Sequence, residues 1–490
     1  MTGAPIRTQG PDAAAGTIRD RSRTGRRASA FPALDVPAVA VPAEARRASA
    51  PDLPEVGERD LVSHYLGLSQ RNYSVDTGFY PLGSCSMKYN PKAAETAASL
   101  PGFARLHPLQ PDHTVQGTLE LLWHLERWLC EITGMAAATL QPPAGACGEL
   151  TGLLVMRAFH EANGDARQQV LIPDAAHGTN PASARLAGYD AVSVPADVRG
   201  LVDVGALAKL VDERTAGLML TNPNTLGLFE EEIVEITRLV HEVGGLVYYD
   251  GANLNAILGK TRPGDMGFDV VHINTHKTFA TPHGGGGPGA GPVGVGARLV
   301  PYLPSPRVAR DGDGSFRIAS DHPHTIGRMH GFHGNVGILV RAYLYLALHG
   351  NDGLPTVSEM AVLNANYLAA RLREAFPLAY PEGRPMHEFV ATAKPLKDAT
   401  GVRAMDIAKR IIDFGYHPST VYFPLVVEEA LMVEPTETES KETLDAFAEV
   451  MLRIATEART DPDLLHEAPI STPVRRLDET RAARQLKLRW

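Results

Sequence analysis

Cysteine is scarce in this sequence of 490 residues, which contains three: Cys85, Cys130 and Cys147. They lie too far apart to form a disulfide framework or the paired spacing of a cysteine metal site. Free thiols persist in reducing compartments, so the composition favours such a compartment.

Long apolar runs and an excess of positive charge are also missing. No uninterrupted apolar stretch approaches the ~20 residues that a membrane-spanning helix needs, so we expect no membrane association. The net charge of −9 argues against bulk nucleic-acid binding. Hydrophobic residues make up 44% of the chain and charged residues 21%, which excludes a wholly disordered or fibrous protein. The length predicts two or three domains, because single cores stop growing at roughly 250–300 residues.

The first fifty residues are rich in alanine, proline and arginine, with five arginines between residues 19 and 27. This composition is typical of a flexible arm. A transit peptide is the alternative, which Asp12, Asp20 and Asp35 make less suitable because such peptides are poor in acidic residues. No apolar core follows the first charges, so we expect no secretory signal.

A regular pattern begins near residue 113. Apolar residues at helical spacing run from Leu121 to Ile132 and stop before Gly134. Five short apolar runs follow, which we predict as strands, at residues 170–173, 191–194, 218–220, 246–249 and 268–273. Helical stretches lie between several of them. Such alternation predicts a mainly parallel sheet that is covered on both faces, with ligands outside the carboxyl ends of its strands.

A second unit is predicted after residue 330. It begins with a helix through Leu344 and Leu346 and a second helix near residues 360–376. Strand-like runs follow at 389–392, 421–423 and 431–433, with a last helix near 444–455. The pattern predicts a smaller α+β domain. We therefore divide the chain into an N-terminal segment (1–112), a large domain (113–330) and a small C-terminal domain (331–490).

Two predicted strands end in residues that carry chemistry. The run 246–249 is followed by Asp250, and the run 268–273 is followed by Lys277. Pyridoxal phosphate (PLP) enzymes need such a pair: the lysine amine forms a Schiff base with the aldehyde, and the carboxylate keeps the ring nitrogen protonated. Taken singly, each residue has a plainer interpretation as a surface lysine or a helix-capping aspartate.

A phosphate site and a stacking residue are the next requirements. The sequence AGACGE at residues 144–149 precedes an apolar helical stretch, and its small residues allow backbone N–H groups to approach an anion. An ordinary glycine-rich loop is the alternative. His177 follows the first predicted strand, where an imidazole can stack on a flat ring. A lone histidine is otherwise a common loop or core residue.

The glycine-rich run 283–291 matches a dinucleotide-binding spacing at Gly284, Gly286 and Gly289. We reject that interpretation because Lys277 separates the strand from the glycines, Pro288 interrupts them and no helical pattern follows. A flexible loop at the entrance of the site is the prediction, and a plain linker is the alternative.

Two further candidates are set aside. Nothing near Cys85 in the sequence lowers the pKa of its thiol, so we expect a small buried residue rather than a nucleophile. The pairs His322/His324 and His330/His333 lack the acidic or cysteine partners of a metal site, so we predict no metal.

Longer motifs resemble one family. They are DTGFYPLGSCSMKYNPK (76–92), AGACGELTG (144–152), TNPNTLGLFE (221–230), YYDGANLNAILG (248–259) and NTHKTFATPHGGGGPGAGPVGV (274–295). All are similar to motifs of the glycine decarboxylases, the PLP-containing P-proteins of the glycine cleavage system. The resemblance extends from SRTGRRASAFPALDVP (22–37) to TPVRRLDETRAARQLKLRW (472–490) and so covers nearly the whole chain.

The resemblance implies a fold-type-I PLP architecture, with a mainly parallel sheet in the large domain and a smaller α+β C-terminal domain. The length resembles the cofactor-carrying second subunit of the two-subunit form. We therefore expect a heterotetramer with two copies of a partner subunit 1, a cytoplasmic location, and a 1–112 segment that contacts the partner.

The resemblance also implies residue roles. Lys277 would hold PLP through a Schiff base and, with His177, would be catalytic. Asp250 would pair with the pyridine nitrogen, while His177 and Ala252 would cover the two ring faces. The remaining expected contacts are Ala146, Cys147 and His276 at the phosphate and Thr225 at the ring hydroxyl. Cys147 departs from the family pattern, where a larger polar residue is usual, and so do Ser86, where threonine is usual, and residues 328–333.

The reaction that the resemblance implies is the oxidative decarboxylation of glycine, with release of CO2 and transfer of the aminomethyl group to the lipoyl group of H-protein. The loop 283–291 would then admit the lipoyl arm. Another fold-type-I enzyme would share Lys277 and Asp250. A dehydrogenase would need the nicotinamide site rejected above, and the presence of Lys277 argues against a non-catalytic scaffold.

Overall fold

The computed structural model describes residues 16–28, 32–33, 35–283, 289–472, 474–486 and 488. Its strands are β1 Ala137–Thr139, β2 Gln169–Pro173, β3 Asp190–Val194, β4 Thr215–Thr221, β5 Leu246–Gly251, β6 Val270–Ile273, β7 Val293–Val295, β8 Arg307–Arg310, β9 Phe316–Ala319, β10 Phe389–Thr392, β11 Thr420–Val421 and β12 Ala430–Val433. Its helices are α1 Glu58–Ser69, α2 Lys92–Ala98, α3 Pro101–Ala104, α4 Gln116–Thr133, α5 Gly145–Ala162, α6 Thr179–Leu186, α7 Val204–Leu210, α8 Ile233–Glu242, α9 Thr275–Thr278, α10 Val336–Leu372, α11 Lys394–Thr400, α12 Ala404–Asp413, α13 Lys441–Thr460, α14 Pro462–Glu467 and α15 Glu479–Arg484.

The large sheet has seven strands in the order β1-β7-β6-β5-β4-β2-β3. Strands β2 to β6 pair in parallel, whereas β7 is antiparallel to both of its neighbours. Each of the five runs predicted as strands overlaps one of these parallel strands. The prediction of a mainly parallel sheet is therefore confirmed.

Both faces of this sheet are buried. In β5, Val247 and Tyr249 belong to one apolar cluster, with side chains of α4, α8 and α10. The alternate residues Leu246 and Tyr248 belong to a second cluster with α5 and α6. Because successive side chains of a strand point to opposite faces, the continuous apolar run of β5 packs against helices on both sides.

The carboxyl ends of β5 and β6 lie close together. Asp250 is the register partner of His272, and Gly251 is the partner of Ile273. A Cβ atom at Gly251 would stand 1.9 Å from the carbonyl oxygen of His272, so glycine is the residue that this approach tolerates. The tight pairing places Asp250 beside the strand that leads to Lys277.

The smaller sheet is antiparallel, in the order β10-β12-β11. Helices α11 to α14 and the second half of α10 bury its apolar side chains in a separate cluster. Gly350 has a non-helical backbone (φ +57°) inside α10, which separates the two helices that the sequence predicts there. The strand predicted at 421–423 is shorter than expected, because Tyr422 takes a positive φ of 58° after β11.

The predicted division of the chain at residues 112 and 330 stays a prediction. Residues before 113 contact the second unit, since Leu82 forms an isolated bridge with Val433 of β12. Among the helices in the described ranges, none has both the length and the hydrophobicity of a membrane-crossing segment.

Candidate active site

Asp250 lies at the carboxyl end of β5 and is fully buried. Its Oδ2 accepts hydrogen bonds from His177 Nε2 at 2.9 Å and Asn180 Nδ2 at 2.8 Å, and its Oδ1 accepts one from the Ala252 amide at 2.9 Å. Burial alone opposes ionisation, but His272 and the bond from His177 hold the pKa of Asp250 well below its usual range. The side chain is therefore a buried carboxylate that accepts several hydrogen bonds.

His272 supports this carboxylate from the neighbouring strand. Its Nε2 lies 3.3 Å from Asp250 Oδ1, and its Nδ1 lies 3.1 Å from the Tyr248 hydroxyl. Burial lowers the pKa of His272 to about 4, so its ring is neutral near pH 7. A neutral ring carries its single proton on Nε2 or on Nδ1, and the Tyr248 hydroxyl lies 3.1 Å from both His272 Nδ1 and the Gly148 carbonyl oxygen.

His177 follows β2, as the sequence predicts, and it precedes α6. Its Nδ1 accepts a hydrogen bond from the Thr179 amide at 3.2 Å, so Nε2 carries the proton that it donates to Asp250. About a quarter of the side chain is exposed (23%). His177 thus lies against Asp250 with one edge open to the site.

Glu149 is a site residue that the sequence analysis named only as part of a motif. Its Oε2 accepts hydrogen bonds from Asn180 Nδ2 at 3.2 Å and Ser183 Oγ at 3.0 Å, and its Oε1 lies 3.9 Å from His177 Nε2. Burial and the nearby charge of Asp250 raise the pKa of Glu149 to about 7. The sequence feature that could have pointed to Glu149 is a glutamate directly before the apolar stretch of α5.

Lys277 lies on the short helix α9, directly after β6, and is mostly buried (9% exposed). Its Nζ donates a hydrogen bond to the carbonyl oxygen of Ser84 at 2.7 Å. The charge of Lys277 contributes to the lowered pKa values of His272 and His276, after burial as the largest cause. Lys277 and Asp250 therefore lie at the carboxyl ends of adjacent strands. We call the site at these strand ends, with the first turn of α5, the crevice.

The first turn of α5 has unused hydrogen-bond donors. The amides of Gly145, Ala146 and Cys147 have no acceptor among the described residues, and no side chain caps this helix. A Cβ atom at Gly145 would stand 1.8 Å from Asn274 Oδ1, so the helix start packs against the segment that leads to Lys277. Unpaired amides at the N-terminus of a long helix suit a phosphate group.

The other predicted contacts lie around this crevice. Ala252 is buried behind Asp250, and the Thr225 hydroxyl donates to the carbonyl of Ala175. The ring of His276 lies 4.5 Å from that of His283, and burial lowers the pKa of His276 to about 3. Of the glycine-rich run, residues 284–288 lie outside the described residues.

Two buried glutamates of the second unit were not found from the sequence. Glu388 Oε2 accepts a hydrogen bond from the Ser84 amide at 2.7 Å, and Glu434 Oε2 accepts one from the Ser86 amide at 3.0 Å. Burial is the main cause that raises the pKa of Glu388 to about 8 and that of Glu434 to about 7. The sequence features that could have pointed to these glutamates are an acidic residue directly before β10 and another directly after β12.

These pKa values predict the pH dependence of stability. We expect the free energy of unfolding of the cofactor-free chain to fall as pH rises from 6.5 to 8. Glu149, Glu388 and Glu434 have folded pKa values of about 7 to 8, above the usual 4.5, so in this window the folded chain binds more protons than the unfolded chain. The lowered pKa of His272 changes the free energy of unfolding only below about pH 6.5, outside this window.

Urea unfolding at the two pH values measures this effect. A Glu388→Gln chain serves as the control, because an amide cannot ionise and the fall should be smaller in it. A free energy of unfolding that stays constant or rises across the window would contradict the prediction.

Two family models match the chain. The model described as glycine cleavage system P-protein matches residues 35–319, and the model described as glycine dehydrogenase, C-terminal domain, matches residues 357–466. The chain belongs to the glycine cleavage system P-protein family. The resemblance stated from the sequence motifs is thereby confirmed.

Curated relatives support this membership over almost the whole P-protein chain. A protein of Thiobacillus denitrificans named "Probable glycine dehydrogenase (decarboxylating) subunit 2" is 58% identical over 478 residues, which cover 96% of this chain and 99% of the relative. A protein of Thermotoga maritima with the same name is 56% identical over 475 residues, covering 97% and 99% of the two chains.

Solved structures show the fold of this P-protein. An inhibitor-bound glycine decarboxylase (P-protein) of the glycine cleavage system matches with a TM-score of 0.71 at 20% identity, covering 84% of this chain and 93% of that one. A C-DES mutant with glycine covalently linked to its PLP cofactor matches with a TM-score of 0.60 at 14% identity, covering 78% and 97%. The predicted fold type I of PLP enzymes is confirmed.

Proposed function

We propose that this chain is the PLP-carrying subunit 2 of a two-subunit glycine decarboxylase. It decarboxylates glycine, releases CO2 and transfers the aminomethyl group to the lipoyl group of H-protein. The observation that carries the proposal is the arrangement at the carboxyl ends of β5 and β6. Here the buried carboxylate of Asp250 and the amine of Lys277 follow adjacent strands, next to the first turn of α5, whose three amides have no acceptor among the described residues. The names of the relatives support the choice of reaction.

The residues of the crevice fit PLP. The amides of Gly145, Ala146 and Cys147 can hold a phosphate, which is an anion suited to a helix N-terminus. Lys277 is the amine that would link PLP through a Schiff base. When bound, PLP supplies an electron sink for the bond that breaks at the glycine α carbon. We assign His276 to the phosphate surroundings and Thr225 to the ring hydroxyl.

Asp250 acts by keeping a proton on the pyridine nitrogen. A carboxylate without access to water and with a strongly lowered pKa stays ionised, so it stabilises a positive charge on its partner. His177 and Ala252 cover the ring faces in this assignment. His272, whose Nε2 lies 3.3 Å from Asp250 Oδ1, helps to keep this carboxylate ionised.

Lys277 and the burial of the crevice supply the remaining steps. With PLP bound, the amine of Lys277 could take up or return protons at the reacting carbon, and the buried residues around it would exclude the water that solvates the substrate carboxylate. CO2 leaves first. The aminomethyl carbon then forms a bond to one sulfur of the lipoyl disulfide, the S–S bond breaks, and the second sulfur takes a proton. Glycine is thereby oxidised and the lipoyl group reduced.

A partner subunit 1 in a heterotetramer belongs to the same proposal. It draws support from the relatives named subunit 2 and from the apolar side chains that the 1–112 segment exposes, such as Val39 (87% exposed), Leu53 (71%) and Leu109 (73%). The free state of Cys85, Cys130 and Cys147 fits the proposed cytoplasmic location. The loop 283–291 remains the proposed entrance for the lipoyl arm.

The unusual Cys147 gives a prediction about the phosphate site. We expect Cys147→Ala to bind PLP within about twofold of the parent, because the contact would come from the backbone amide, which alanine retains. Burial raises the pKa of the Cys147 thiol, which makes an anionic side chain at the phosphate unfavourable in any case. Fluorescence titration of both chains with PLP measures the affinities. A loss of about tenfold or more, equal to 1.4 kcal/mol, would assign the contact to the thiol instead.

The function is tested by glycine–CO2 exchange. Purified chain, subunit 1, PLP and lipoylated H-protein are incubated with glycine and labelled bicarbonate, and label is measured in glycine. We expect exchange that depends on both the lipoyl group and this chain. Exchange without lipoate would favour another fold-type-I decarboxylase, and PLP binding with no exchange at all would favour a scaffold.

A further inference from the structure

Residues 82–86 form a short segment between the small sheet and Lys277. Leu82 bridges Val433, and the carbonyl of Gly83 accepts a hydrogen bond from Thr420 Oγ1 at 2.8 Å. A Cβ atom at Gly83 would stand 2.2 Å from Met432 Cγ, so the segment passes directly over β12. We call residues 84–86 the Ser84 loop.

The Ser84 loop has an unfavourable backbone that glutamates hold in place. Ser84 and Ser86 have φ angles of 66° and 40°, in the left-handed region that residues other than glycine seldom adopt. The amide of each serine donates to a buried carboxylate, Glu388 for Ser84 and Glu434 for Ser86. The hydroxyl of Ser86 also donates to Glu434. Strained backbone persists where its surroundings determine it in this way, and it concentrates at functional sites.

The two glutamates come together through the register of the small sheet. Phe389 pairs with Val433, so Glu388 and Glu434 are the next residues at the same end of β10 and β12. Their carboxylate oxygens and a ring nitrogen of His387 lie within 4.8 Å of one another, and all three residues are fully buried. Lys277 and Lys88 are the positive charges that act on the glutamates.

A metal ion is a poorer interpretation of this cluster. Both carboxylates already accept amide hydrogen bonds from the Ser84 loop, and two lysines supply the positive charge. The raised pKa values of the glutamates fit a pair that retains a proton near neutral pH.

Ser84 connects this cluster to the active lysine. Its amide binds Glu388, and its carbonyl oxygen accepts the hydrogen bond from Lys277 Nζ at 2.7 Å. Lys277 lies 193 residues further along the chain, so the contact depends on two distant segments being packed together. A continuous path of hydrogen bonds thus runs from the small sheet to the amine.

We propose that Glu388 and Glu434 are positioning residues for Lys277. They hold the Ser84 loop so that the Ser84 carbonyl receives the Lys277 amine whenever that amine is not linked to the cofactor. The inference rests on the proposed function, because that function assigns Lys277 as the cofactor lysine. The inference adds that the small domain orients Lys277 through these two glutamates.

Four variants of the full chain test the proposal: Glu388→Ala, Glu434→Ala, Glu388→Gln and Glu434→Gln. The alanine variants remove the acceptors of the Ser84 loop, whereas the glutamine variants keep a carbonyl oxygen at each place. Glu429→Ala is the matched control, because Glu429 is also a buried glutamate of the small domain and accepts the amide of Ala404 at 2.8 Å.

Two measurements are made on each cofactor-free chain. Hydrogen exchange at residues 82–88 reports whether the Ser84 loop is held. The rate at which added PLP forms its visible Schiff-base band, followed across pH, reports the orientation and protonation of Lys277.

We expect both alanine variants to speed the hydrogen exchange of the Ser84 and Ser86 amides by about tenfold or more, because each removes a buried hydrogen-bond acceptor. We also expect slower band formation with a shifted pH midpoint. The glutamine variants should have hydrogen-exchange rates and band-formation rates close to those of the parent. Glu429→Ala should change neither of these two rates.

The proposal would be overturned if hydrogen exchange became faster while the rate and the pH profile of band formation stayed as in the parent. The glutamates would then have a purely structural role. Unchanged hydrogen exchange in the alanine variants would overturn the proposal as well. A parent chain that forms no band would instead contradict the proposed function.

Discussion

Lys277→Ala is expected to reduce glycine–CO2 exchange by about four orders of magnitude, the upper range for a group that moves protons at the reacting carbon. The variant also lacks the amine that would link PLP, so the visible Schiff-base band should be missing. The reason is positional: Lys277 is mostly buried directly after β6 and its Nζ reaches the crevice at Ser84.

Matched lysine variants separate this role from a general effect of charge. Lys277→Arg keeps a positive charge but lacks a primary amine, so its loss should equal that of Lys277→Ala. Lys260→Ala removes a surface lysine paired with Glu359 and should exchange at the parental rate. A visible band and appreciable exchange in Lys277→Ala would show that another residue links the cofactor.

Asp250→Asn is expected to reduce exchange by about 10²–10³-fold, the range seen when one preorganised electrostatic contact is lost. Asparagine has the size of aspartate but no charge to keep the pyridine nitrogen protonated. Its NH2 group would also face donors, because both oxygens of Asp250 accept hydrogen bonds, from His177 and Asn180 at Oδ2 and from Ala252 at Oδ1.

Asp269→Asn is the matched control for this change. Asp269 directly precedes β6 and so lies at the amino ends of the parallel strands, opposite the site. Its Oδ2 accepts hydrogen bonds from His241 Nε2 at 2.8 Å and the Val247 amide at 2.8 Å. We expect Asp269→Asn to lose stability but to retain the parental rate of glycine–CO2 exchange. Equal exchange rates in the two asparagine variants would remove the assigned role of Asp250.

The strands and strand ends of the large domain were predictable from the sequence. Runs such as 246–249 are apolar without interruption, which is typical of strands buried on both faces, and the polar residue that follows marks the ligand edge of a parallel sheet. This local pattern predicts Asp250 at the site, and Asp250 lies near the carboxyl end of β5. Gly134, predicted to stop a helix, is the left-handed cap of α4.

The hydrogen-bond partners of those residues were not predictable in the same way. Nothing in the local sequence links Asp250 to Asn180, and Glu149 was noticed only as part of a glycine-rich motif. The contacts require β5 to lie between β4 and β6 and α6 to follow β2, so they depend on strand order rather than on pattern.

The sequence by itself determined the family and the parallel sheet and predicted the pair Asp250 and Lys277, because apolar periodicity and motif residues are local properties of the chain. The tertiary structure alone decided that Glu388 and Glu434 hold the amides of Ser84 and Ser86, which lie 304 and 348 residues away. The physical reason is that a buried carboxylate finds its donors only when packing brings distant segments together and removes water from both.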